Sequence, residues 1–144
     1  MIWGYSVEII ASILIWLLIR QALGAVTIAH FMLSRKTDFF FTIGLAAAIC
    51  GLFFAAFVTF MCTDFGKRFR KAGAAVDYLI GFLTPFLAFA AVAGTLHFLS
   101  NESPLFLGDL ILILLIYSAI NCITMAKNLI GIARIWQEID QVRG

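Results

Sequence analysis

Charge is what this sequence has least of. Asp, Glu, Lys and Arg make up 12% of its 144 residues, about half the roughly 25% typical of a soluble domain. A net charge of +2 is too small to suggest a nucleic-acid partner. No cation precedes the first apolar run, since the first charged residue of the sequence is Glu8, so a cleaved signal peptide is not expected. The three cysteines, Cys50, Cys62 and Cys122, are odd in number and lack CxxC spacing. Cys50 and Cys122 fall within apolar runs, which suits small buried hydrophobes better than a disulfide framework.

Catalytic signatures are also missing. There is no Walker loop, GxSxG, HExxH or paired acidic motif, and Ser103-Pro104 belongs to a loop. Chemistry contained in this chain is therefore not expected. No internal repeat is visible, which gives no support to an inverted-repeat transporter.

Apolar sequence is what the chain has in quantity. Hydrophobic residues reach 63% and the mean hydropathy is +1.05. Four runs stand out, at about 9–33, 39–62, 78–99 and 110–132. Each meets the roughly 20 residues a helix needs to cross about 30 Å of hydrocarbon. Backbone groups in lipid must be satisfied internally, and the alternation of a barrel is absent, so the runs are expected to be helices. The linkers are too short for a soluble domain. Residues 1–144 thus read as one all-α integral membrane domain, four transmembrane helices in an antiparallel bundle.

Basic residues set the expected threading. Lys67, Arg68, Arg70 and Lys71 crowd the second loop, whereas the third has Glu102 and Asp109 and no cation. The positive-inside rule places the second loop and both termini in the cytoplasm. Arg134 and Arg143 agree with this; Arg35 and Lys36, in the first loop, do not. An inner, cytoplasmic membrane is the expected location.

Small residues at four-residue spacing mark helix contacts: Ala47, Gly51 and Ala55 on the second run, Ala90 and Gly94 on the third. Pro85 removes a helical hydrogen bond, so a kink is expected there. If the first run is one helix, Tyr5, Ser12, Trp16, Arg20, Thr27, His30 and Ser34 fall within an arc of roughly 80°. On the fourth, Tyr117, Ser118, Asn121, Thr124 and Asn128 share roughly 120°. Such stripes face protein or water.

At about 1.5 Å per residue, Arg20 lies roughly 20 Å below the outer edge of a continuous helix, in the inner leaflet near the level of Lys127 and Asn128. Glu8, Asp64 and Asp77 are anionic candidates at that depth. Snorkelling to the headgroups is the plain reading of Arg20. The inward stripe favours a directed contact instead, and Arg20, Asn121, Lys127 and Asn128 are the candidate intramembrane contact residues.

His30 and His97 come to the same outer depth on two helices, a spacing that two axial ligands of a b-type haem would share. There is no second pair and no CxxCH, so no cofactor or metal is expected and the histidines read as capped or interfacial.

The segment "GKRFRK" interleaves Phe69 with four cations, a composition that meets anionic headgroups beside a membrane. The tail "IARIWQEIDQVR" places Ile132, Ile135, Trp136 and Ile139 on one side, an amphipathic extension of the fourth helix that must meet headgroups or protein.

The expected function is a non-enzymatic integral subunit of a larger inner-membrane assembly, such as a secretion, conjugation or energy-transducing complex. Its partners would be other membrane subunits, a homo-oligomer among them. A small channel, transporter or holin-like pore formed by oligomerisation is the alternative, followed by a haem- or quinone-binding anchor.

Overall fold

The computed structural model describes residues 2–71 and 75–141. The side chains of Tyr5, Lys71, Trp136 and Ile139, and all of Arg143, lie outside the described residues. Six helices follow in order: α1 (Ile2–Leu23), α2 (Ala25–Ser34), α3 (Lys36–Cys62), α4 (Asp64–Lys71), α5 (Ala75–Phe98) and α6 (Leu105–Gln141). Four of them, α1, α3, α5 and α6, are long and apolar enough to cross a membrane.

The first apolar run is not one helix. It breaks at Gly24, whose φ of 78° and ψ of 152° lie in a region essentially reserved for glycine. The reason is tertiary. Beyond the break, Ile28 and Met32 are buried against Val92, Leu96 and Ile111, and Ala29 closes on Gly108, where an added Cβ would come within 2.9 Å of the Ala29 Cα. Trp16 and Ala29 both reach Gly108–Asp109 of α6. In a straight helix those thirteen residues would separate them by about 20 Å. The chain must therefore change direction at Gly24.

The spanning helices are backbone neighbours in the order α1, α6, α5, α3. Only 6% of the apolar window of α1 is buried, against 39% for α5, so α1 is the edge and α5 the centre. Val92, Leu96 and Phe82 of α5 are essentially inaccessible. Helix α5 runs on through a buried Pro85. Without a hydrophobic effect between helices in lipid, close packing must supply the attraction. Gly51 meets the Phe86 ring, Gly81 meets the Asn128 side chain, and Gly131 faces the Tyr78 hydroxyl.

A second core joins the opposite end. Phe57 stacks on Phe82 at 4.9 Å, Phe69 of α4 meets Phe57 and Phe60 edge-on, and Tyr78 lies 5.3 Å from Phe69. Such aromatic pairs add about 0.5–1.5 kcal/mol each beyond area burial. Cys50 and Cys122 belong to this cluster and all three thiols are free. Ile132 and Ile135 also pack on it. That part of the α6 extension therefore meets its own chain, because it runs along the start of α5, where Tyr78 faces Gly131.

Candidate functional site

Of the polar stripe of the first run, Ser12 and Trp16 on α1 turn toward the interior. Ser12 is buried and donates to the Glu8 carbonyl at 2.7 Å. Trp16 Nε1 donates to Asp109 Oδ1 at 3.1 Å. Thr27, His30 and Ser34 are exposed on α2, because the break at Gly24 resets the face.

Arg20 is paired. Its Nη1 lies 3.6 Å from Asp109 Oδ2, and its guanidinium covers the Trp16 ring at 5.2 Å. The Asp109 side chain is 8% exposed and that of Arg20 47%. A carboxylate this buried needs its partners: the indole N–H and the guanidinium supply a hydrogen bond and a charge. This corrects both the depth and the partner drawn from a continuous helix. Asp109 is four residues into α6, about 6 Å along it, so Arg20 sits near the α5–α6 loop. Asp109, counted as a loop residue, is a helical interior one.

The seam of α6 faces inward as its spacing implied. Ser118 and Asn121 are 0% and 1% exposed and satisfy themselves locally: Ser118 donates to the Leu114 carbonyl and Asn121 to that of Tyr117. Thr124 donates to Glu8 Oε1 across to α1, while Glu8 Oε2 is buried without a hydrogen-bond partner among the described residues. Asn128 fills the space over Gly81. Lys127 is exposed and makes no ion pair among the described residues. It stands eighteen residues beyond Asp109, about 27 Å along α6, so Arg20 and Lys127 do not share a level.

The first-loop cations have tasks that sequence did not reveal. Lys36 Nζ donates to the carbonyls of His97 and Leu99 at 2.9 and 2.7 Å, satisfying orphan acceptors at the end of α5 where a cation also suits the helix dipole. Arg35 pairs with Asp38 at 3.2 Å. A Lys following an apolar run gives no cue that its acceptors lie 61 residues away.

At the other end, Phe69 is 4% exposed, while Lys67, Arg68 and Arg70 point outward. The basic loop is thus an anchored helix. Lys67 pairs with Asp64 at 2.8 Å. His30 and His97 are both exposed, the latter's ring edge-on to Phe98 at 5.4 Å. Among the described residues no group of three or more His, Cys, Asp or Glu is placed to hold a metal.

The small-residue rows divide. Ala47 is half-buried and Gly51 packs on Phe86, but Ala55 is exposed. Ala90 and Gly94 are exposed, and a Cβ on Gly94 would meet nothing within 4 Å. That row faces outward because α5 turns Val92 and Leu96 toward its neighbours instead. No family model, curated protein or solved structure matches the chain.

Proposed function

We propose that the chain is a non-enzymatic integral subunit of a larger inner-membrane assembly, its spans antiparallel, with both termini and α4 in the cytoplasm. One observation carries this reading. Ala90 and Gly94 lie exposed on the central helix while Gly51, Gly81, Gly108 and Gly131 are each filled from within the chain. A row of small residues unused by internal packing is where the backbone of another transmembrane helix can come close.

Local bonding of most of the polar seam supports the same reading. Asn121 and Ser118 are bonded to their own helix and Arg20 to Asp109, so these groups serve cohesion of the fold. A pore would need Arg20, Asn121, Lys127 and Asn128 on one path, whereas Asn121 is buried and bonded to its own helix, Asn128 fills the space over Gly81, and Lys127 is exposed.

Ala90→Leu and Gly94→Leu test the proposal. Each fills outward space, so the purified variants should unfold like wild type. Their assembly on a native gel of detergent-extracted membranes should be reduced to the free chain. Wild-type assembly in both variants, or ion leakage from vesicles containing the wild-type chain alone, would overturn it.

A further inference from the structure

A groove of about 390 Å³ runs between the end of α3 and the start of α5. Phe54, Val58 and Met61 form one wall, Val76 and Leu79 the other, and Arg70 of α4 also lines it. Apolar walls with a single guanidinium match a ligand that is hydrocarbon with an anion attached.

The guanidinium is carried on a fixed support. Phe69, the preceding residue, is held among Phe57, Phe60 and Tyr78. Thr63 Oγ1 accepts from the Gly66 N–H at 3.1 Å, capping α4. Gly66 lies so close to the Phe60 carbonyl and the Met61 backbone that no side chain fits. Lys67 is already paired with Asp64, whereas Arg70 has no acidic partner among the described residues. Its position also suits a lipid. Helix α3 ends at Cys62 and α5 begins at Ala75, so the groove opens where hydrocarbon gives way to headgroups.

We propose that this groove binds one anionic phospholipid, its phosphate on Arg70 and one acyl chain along Val58, Met61 and Leu79. The planar fork of arginine matches two phosphate oxygens, which the point charge of lysine does not. The inference stands apart from the subunit reading and needs only that the spans lie in a bilayer.

Native mass spectrometry of the full chain, released from detergent with added lipid, tests it. Phosphatidylglycerol should be retained one per chain, in preference to phosphatidylcholine of the same acyl chains. Arg70→Gln should weaken retention about fivefold, and Val58→Trp, which fills the groove at an exposed position, should also weaken it. Lys67→Gln should change little. Inorganic phosphate should not displace the lipid, since it lacks the chain. Equal retention of the two lipids, equal loss in the Lys67 and Arg70 variants, or a polypeptide held in place of lipid would each overturn the site.

Discussion

Arg20 and Asp109 meet across eighty-nine residues of chain, with a guanidinium nitrogen 3.6 Å from a carboxylate oxygen and the Trp16 indole donating to the other oxygen at 3.1 Å. The pair ties the edge helix α1 to α6, the helix it packs on most. Its consequence is a stability dependence that a snorkelling cation lacks. Arg20→Leu should cost about 1–3 kcal/mol, less than the loss from a fully buried pair because the Arg20 side chain is 47% exposed. Arg20→Lys should recover only part of this, and Arg20→Leu with Asp109→Leu together should cost less than the sum. Denaturant unfolding in detergent reads all three. A neutral or stabilising Arg20→Leu would return the residue to snorkelling.

Gly24 is the second lever. At φ 78° and ψ 152° a Cβ is strained even though open space surrounds it, so Gly24→Ala should destabilise the chain by about 1–3 kcal/mol. If the variant relieves strain by straightening the break, the coupling between Arg20 and Asp109 should shrink in its background. An unchanged unfolding midpoint and an unchanged coupling would show that the turn is not what brings the pair together.

Gly66 should tolerate alanine worst of all. The added Cβ would press on the Phe60 carbonyl and the Met61 backbone, neither of which can rotate away. Displacement of α4 would draw Phe69 from its aromatic cluster. Trypsin should then cut at Lys67 or Arg68 faster in Gly66→Ala than in the wild-type chain, with cleavage monitored by mass. Wild-type cleavage rates would mean that α4 is not held by this approach.

Threading can be checked directly. With Cys50, Cys62 and Cys122 replaced by alanine, Asn101→Cys should react with an impermeant thiol reagent from outside intact cells, and Arg68→Cys only after the membrane is opened. Labelling of Arg68→Cys from outside would reverse the orientation. Arg35 and Lys36, the two cations opposed to this topology, are engaged with Asp38 and with the end of α5.

The four helices long and apolar enough to span were legible because each run is long and apolar and lacks the alternation of a barrel, the other structure that satisfies a backbone in lipid. The inward seam of Ser118, Asn121 and Thr124 was legible too, since α6 is unbroken and helical periodicity holds along it. Arg20 was misplaced for the converse reason. One glycine inside an apolar run does not say whether a helix continues, and every depth and face beyond it depends on the answer. Burial of Ile28 and Met32, with Ala29 against Gly108, decides that question. Small-residue spacing likewise marked Gly51 and Gly94 alike, yet only Gly51 meets a neighbour. A one-dimensional pattern fixes which residues share a face of one helix; which face is used depends on where the other helices stand. Lys36 on the carbonyls of His97 and Leu99, Phe69 among the rings of α3 and α5, and Asp109 under Arg20 are contacts between distant segments. Their partners are chosen by packing in three dimensions, so only the tertiary structure decided them.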